Sequence, residues 1–450
     1  MCIRDRYLLR FESPAWFRFI LHLTVLFSTA MVCHGLLVGR RPPARYLTQF
    51  YLLLALGGAL GAAFNALLAP MVFSDVVEYP LAILVACLLR PALLWRGLRR
   101  TRFFIELFLA LLTGGAAATI VFWPEVAVRL WDFNAAVVAA ILAVAVALLG
   151  SRSPLRLALV VTALWIAATP ASRYSGAMIF RERSFFGVYE VRRTTVTNQH
   201  LLVHGTTLHG SQFRDTASRT MPTSYYTTVG PLGHLFSSQD GFADTARIGV
   251  IGLGAGTTAC YARPNQRWTF FELDPLVERI ARDTTYFTYL HDCAADARVI
   301  LGDARVSLRD EQDGAYDLLI MDAFSSDAVP VHLITREALD LYMRKLTPQG
   351  LVAFHISNRY VDLEPVLAAL VAERGLAALY QIWNPQTAEM SAWLIHASRW
   401  VVIGRDSTSL GWLTTDERWG PPRLRPGVQP WTDEYSSVPS VMVWRTRFAD

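Results

Sequence analysis

Hydrophobic positions divide this chain into two unlike halves. Up to about residue 170 they come in long, nearly uncharged runs: Trp16–Leu37, Phe50–Val72, Leu81–Trp95, Phe103–Trp123, Phe133–Leu149 and Leu155–Ala168. Several approach the roughly 20 residues that a helix needs to cross a bilayer. They are apolar on all faces, which favours lipid over a soluble core. From Arg173 onward charge returns and the period changes. Phe185–Arg193 and Thr194–Val203 alternate as hairpin strands do, with Gly205 and Gly210 supplying turns, so Ser184–Phe213 reads as a small antiparallel β module. Pro222–Phe236 links it to a run of short apolar strands: Ile248–Ile251, Trp268–Phe271, Arg298–Leu301, Tyr316–Met321 and Leu351–His355. Segments with helical spacing, Arg336–Leu346 and Leu363–Arg374, lie between and after them. Strand and helix in alternation predict a parallel, doubly wound α/β sheet. The expected organisation is an all-α transmembrane bundle over 1–172, truncated at its N-terminus, a small β module and linker over 173–236, and a Rossmann-like, methyltransferase-type domain over 237–450.

Composition sharpens this picture. Of 450 residues 53% are hydrophobic and 18% charged, too apolar for an ordinary soluble protein. The net charge of +5 comes from arginine, Lys345 being the sole lysine, so Schiff-base chemistry is not expected. Much of the arginine sits between apolar runs, at Arg40, Arg41 and Arg45, at Arg96, Arg99, Arg100 and Arg102, and at Arg152 and Arg156. Those are positive-inside loops facing anionic lipid and give no reason to expect nucleic acid. Six full spans with these loops inside would leave the carboxyl half outside the cytoplasm. A surface or re-entrant Leu155–Ala168 returns it inside, and we take a multi-pass protein of a bacterial inner membrane with a cytoplasmic catalytic half as the expectation. The five cysteines are scattered without a C-x-x-C pair, which predicts neither a disulfide framework nor a zinc site and suits a reducing compartment. The first six residues lack a signal-peptide layout.

Chemistry gathers at strand ends. Ile248–Ile251 feeds straight into Gly252, Gly254 and Gly256, and Thr257–Arg263 reads as the start of a helix. About twenty residues later the next strand ends in Glu272, the spacing at which an acidic residue meets two ribose hydroxyls. G-x-G-x-G alone is also an ordinary turn; the flanking strands and Glu272 make it a nucleoside site. Two further strands end in Gly302-Asp303-Ala304 and in Asp322. In doubly wound sheets ligands collect at these carboxyl ends. His332 either lines the pocket or is structural, and His204 and His209 read as turn residues.

Taken together, Phe185-Phe186-Gly187-Val188-Tyr189, His204 to Gly210, Gly252 to Gly256, Asp322-Ala323-Phe324-Ser325-Ser326-Asp327, Val329 to Leu333 and Thr432-Asp433-Glu434-Tyr435-Ser436 resemble spermidine synthase and its aminopropyltransferase relatives. They resemble still more the membrane-fused, spermidine-synthase-like proteins of bacteria. The resemblance implies decarboxylated S-adenosylmethionine as cofactor, with no metal. It implies Gly252, Gly254, Gly256, Glu272, Asp274, Asp303 and Ala304 as the cofactor residues, Glu272 on ribose and Asp303 with Ala304 on adenine. Asp322 becomes the catalytic carboxylate, with Asp327, Tyr226 and Gln212 at the acceptor, an amine or polyamine; lipid bilayer is a partner and a homodimer is compatible. Asp322 suits that role, because an alkylamine with a pKa of about 10.4 is protonated at neutral pH and must lose a proton before it attacks carbon. The plainer alternative is that Asp322 caps its loop and Asp327 is a solvated carboxylate.

The departures are informative. Typical spermidine synthases carry Gly-Gly-Gly-Asp-Gly where this chain has Ala255 in place of the acid, and Asp-Ser-Ser-Asp where two extra residues separate Asp322 from Asp327. Ser224-Tyr225-Tyr226-Thr227 replaces Ser-Tyr-Gln-Glu, and His204 stands where Leu-Asp-Gly has its acid. Methyl transfer from S-adenosylmethionine therefore stays open, as does a polyamine transporter or sensor with a non-catalytic nucleoside-binding domain.

Overall fold

A computed structural model describes residues 15–89, short helical pieces within 104–112 and 157–162, and residues 176–443 apart from 206, 238–241, 324–329, 359 and 386–393. The chain divides into two compact units, Met1–Tyr174 and Ser175–Asp450.

In the first unit Ala15–Gly39 is one helix. Leu47–Ala63 is a second, which passes through a π-turn, Phe64–Leu68, and continues to Val72. Among the described residues two helices, His22–Gly39 and Ala44–Val72, are long and apolar enough to cross a membrane. Their apolar side chains stay uncovered within the unit; Phe27 and Leu53 are each 67% exposed. A shorter apolar helix, Glu78–Leu89, meets the first through Tyr79, whose hydroxyl lies 2.8 Å from His22 Nδ1. The expected runs Trp16–Leu37 and Phe50–Val72 fall in the two long helices. Leu81–Trp95 is helical as far as Leu89, Phe103–Trp123 and Leu155–Ala168 are described only in pieces, and Phe133–Leu149 lies outside the described residues.

The second unit opens with β1 (Ala177–Arg183), β2 (Val188–Thr194), β3 (Gln199–His204) and β4 (Thr207–Phe213), an antiparallel meander in that order. His204 closes β3 and His209 sits inside β4, so both are strand residues rather than turn residues; the turn itself is made at Gly205, with φ of +60°. A sheet of seven strands follows, with β5 (Arg247–Ile251), β6 (Arg267–Glu272), β7 (Arg298–Leu301), β8 (Tyr316–Met321), β9 (Leu346–His355), β10 (Ala377–Trp383) and β11 (Ser398–Gly404) in the order β10-β11-β9-β8-β5-β6-β7. β5 to β9 pair in parallel, whereas β11 runs antiparallel to both its neighbours. The sheet is thus a mixed Rossmann-like one. β10 and β11 correct the expectation of a purely parallel sheet: Trp400-Val401-Val402-Ile403 is a fully buried apolar run that needs two covered faces.

Both faces are covered because successive strand residues alternate between two cores. Ile248, Val250, Phe270, Leu318, Ile320 and Val402 join one. Ile251, Phe271, Leu319, Met321, Val352 and Ile403 join the other. Short helices with ordinary side-chain caps pack outside: Pro275–Arg282 capped by Asp274, Ala304–Asp310 by Asp303, and Arg336–Lys345 by Thr335. The order in which strands are added reverses between β5 and β8, the switch point at which sheets of this kind bind ligands. Register places the strand ends level, Ile251 opposite both Phe271 and Met321. Gly252, Glu272 and Asp322 therefore emerge side by side.

Candidate active site at the carboxyl edge of the sheet

Gly252, Gly254 and Gly256 all have positive φ, at +99°, +54° and +83°. Each is also pressed by its surroundings. A Cβ on Gly252 would collide with the Asp322 carbonyl, and one on Gly254 would stand 2.6 Å from the His209 carbonyl. The β module thus lies directly over the turn, so close backbone approach requires these glycines even before a ligand is considered. The turn does not open an α-helix, as expected over Thr257–Arg263, but a five-residue 3-10 turn, Thr257–Tyr261. Pro264, which disfavours helical backbone at Arg263, is the reason.

Glu272 is buried, and its two oxygens accept from Leu253 N and Asp274 N at 2.9 Å each. Burial raises its pKa above the ordinary carboxylate value despite these donors. A carboxylate has about four acceptor sites, so the backbone donors of Leu253, Asp274 and Leu273 leave room for a ribose hydroxyl. Asp274 is occupied differently. One oxygen caps Leu276 N at 2.9 Å and the other takes the Ser184 hydroxyl, so this side chain fastens the β module to the sheet domain. Asp303 caps Val306 N at 3.1 Å and faces His332 Nε2 at 3.1 Å, with Ala304 opening the helix behind it. His332 thus stands on the Asp303 side of the site. Gln212 has spent its amide on Arg219 O, Thr288 Oγ1 and Thr288 N, at 2.8, 2.9 and 2.8 Å. It pins β4 to the segment before the helix Tyr289–Cys293. Asp327 lies outside the described residues.

Asp322 is where the structure adds most. Its side chain is 8% exposed. Tyr226 donates its hydroxyl to Oδ2 at 2.7 Å, and His355 Nδ1 meets Oδ1 at 2.7 Å. Burial and the neighbouring carboxylate push the Tyr226 phenol well above its ordinary pKa, so it remains a donor. Aromatic rings enclose the carboxylate: Tyr225 stacks on His396 at 5.1 Å, and His355 on Trp400 at 4.7 Å. Sequence reasoning missed His355, although it closes β9 on the same edge that singled out Asp322. Applied to Leu351–His355, the same strand-end logic would have found it.

On the β module, His204 stacks on Tyr189 at 4.5 Å and lies beside His209. Burial lowers both, His209 to about 3 with His204 beside it, so neither carries charge at neutral pH. The position that holds an acid in typical spermidine synthases is neutral here.

Two further features lie around the turn. Cys260 in the 3-10 turn and Cys293 are joined in a disulfide, Cα–Cα 4.8 Å. This corrects the expectation of unpaired cysteines and removes the support it lent to a reducing compartment; a separation of 33 residues carries no motif to read. Beyond His332 a cleft of about 480 Å³ is lined by Arg305, Thr335, Asp433 and Tyr435 among others. Arg305 grips Asp433 bidentately at 2.7 and 2.6 Å, and Thr335 adds a third bond at 2.8 Å. That grip holds the Asp433 carboxyl down to about 2. A carboxylate depressed in the folded state contributes stability above its unfolded pKa, near 3.9, and loses it as pH falls towards 2. The buried Trp431 beside it should therefore keep its fluorescence down to about pH 4 and lose it between about pH 4 and 2. Asp433→Asn should flatten that transition; an unchanged acid transition would place the sensitivity elsewhere.

No family profile matches this chain. Over 111 residues it is 34% identical to the polyamine aminopropyltransferase of Vibrio vulnificus, a stretch that is 24% of this chain and 36% of that protein. The chain thus spans about a third of the length of this curated relative. Among solved structures, a probable spermidine synthase from Corynebacterium glutamicum is 18% identical, with a TM-score of 0.42 over 59% of this chain and 98% of its own. The spermidine synthase of Thermotoga maritima is 12% identical, with a TM-score of 0.39 over 55% of this chain and 80% of its own.

Proposed function

We propose that Ser175–Asp450 is an aminopropyltransferase that moves the aminopropyl group of decarboxylated S-adenosylmethionine to an amine or polyamine. One observation carries this reading: a buried carboxylate, Asp322, held by two donors at the switch point, level with Gly252 and Glu272. The related stretch of a polyamine aminopropyltransferase supports it. The donor set fits the nucleoside: Glu272 keeps acceptor capacity for ribose, and Asp303, at the next strand end, is assigned to the adenine amine. Ala255 leaves the glycine turn without the carboxylate that would grip an aminopropyl ammonium. Asp274 and Gln212 dock the β module, and their remaining acceptor capacity is assigned to the cofactor and the acceptor respectively.

When bound, the cofactor supplies a sulfonium whose neighbouring carbon accepts the nucleophile. Asp322 attracts the acceptor ammonium, takes one proton and leaves the nitrogen lone pair aimed at that carbon. The new C–N bond forms as the C–S bond breaks, and the sulfur departs as a neutral thioether holding the bonding pair. Tyr226 keeps the carboxylate oriented, and the ring of Tyr225 offers the cation an aromatic face. Apolar, uncovered helices in the first unit support attachment of this enzyme to a membrane, with polyamine or a related amine as its small-molecule partner. Product analysis with decarboxylated and intact cofactor tests the assignment: an aminopropylated amine is expected, and methylated product alone would refute it.

A further inference from the structure

Asp322 is half of a pair. Parallel pairing of β8 with β9 sets Met321 opposite Phe354, so Asp322 and His355 follow side by side at the sheet edge. The His355 side chain is 3% exposed and its ring lies flat on Trp400, 14° from parallel, which fixes its plane. At its far side Nε2 meets Ser357 Oγ at 2.7 Å, while Arg399 N donates to that same oxygen at 2.9 Å. A carboxylate oxygen can only accept, so Nδ1, 2.7 Å from Asp322 Oδ1, is assigned the ring proton. The neutral ring then leaves Nε2 to accept from the Ser357 hydroxyl.

We propose that His355 is a positioning residue for the transfer, and that Asp322 and His355, anchored through Ser357, act as one acid–base unit. The proposal rests on reading Asp322 as the base. The groups facing His355 are Asp322 beyond β8, Tyr225 and Tyr226 from the segment before the sheet, Trp400 and the Arg399 backbone on β11, and Ser357 in the loop just after its own strand. His396 stands behind Tyr225. Asp322 is the carboxylate in contact with the ring. His355 donates to one oxygen and Tyr226 to the other, so the carboxylate is held from both sides. In the reaction the ammonium proton moves to Asp322 and His355 retains its own.

His355→Asn places an amide donor near the Nδ1 position but cannot titrate, and His355→Phe keeps the stacking without a donor. We expect both full-length variants to bind decarboxylated S-adenosylmethionine as wild type does. His355→Asn should lose about tenfold in kcat, the worth of a hydrogen bond to a charged acceptor, and alter the pH profile of the rate. His355→Phe should fall further, towards Asp322→Asn. A readout independent of turnover is the histidine Nδ1 proton signal in labelled protein, which should move on Asp322→Asn. Wild-type pH profiles in both His355 variants, or an Nδ1 signal indifferent to Asp322→Asn, would reduce His355 to packing and overturn the inference while leaving Asp322 as base. Full turnover in Asp322→Asn would instead remove the base assignment, and this inference with it.

Discussion

Asp322→Asn is expected to bind cofactor about as well as wild type and to turn over about 10²–10⁴-fold more slowly, the usual worth of a positioned general base. The substitution keeps the side chain's shape but removes both the charge that attracts the ammonium and the atom that takes its proton. It also disturbs the donors. Tyr226 and His355 each aim a proton at a carboxylate oxygen, and an amide can accept from only one of them. The acid limb of the rate profile should therefore disappear along with the rate. Unaltered kcat with any acceptor that wild type uses would assign Asp322 to structure. Steady-state kinetics across pH, paired with calorimetric cofactor titration, separates the two outcomes.

Glu272→Ala is expected to weaken cofactor binding by about 1.5–3 kcal/mol, roughly 10- to 100-fold, by removing acceptors for charge-assisted hydrogen bonds. In this protein the loss has a second source. Glu272 holds Leu253 N and Asp274 N, so its removal frees the glycine turn and the entry to the helix Pro275–Arg282 together. Glu272→Gln should recover only part of the affinity, because one of those two backbone donors would meet an amide nitrogen. Titration calorimetry of both variants decides the matter. Wild-type affinity in both would mean the ribose sits elsewhere.

Much of this was legible in the sequence because strand ends are marked by changes of residue class. Apolar runs stop at Gly252, Glu272, Asp303 and Asp322, and level register brings Gly252, Glu272 and Asp322 to one edge. What the sequence withheld depends on pairings that no local pattern encodes. Gln212 and Asp274 are polar residues of the right type beside the site, and each also binds a distant part of the chain, at Thr288 and Ser184. Cys260 and Cys293 meet only because the 3-10 turn and the helix Tyr289–Cys293 pack together. β11 was invisible for another reason: its antiparallel course breaks the alternation that revealed the other strands. His355 could have been found, since it ends a strand as Asp322 does.

The central claim is that the group transferred is aminopropyl and the recipient an amine. It is tested most directly by mass spectrometry of the products formed by purified full-length protein given both decarboxylated and intact S-adenosylmethionine with a mixture of amines. The account predicts an amine heavier by one aminopropyl group, formed only from the decarboxylated cofactor and lost in Asp322→Asn. An amine heavier by a methyl group, formed from the intact cofactor, would contradict it.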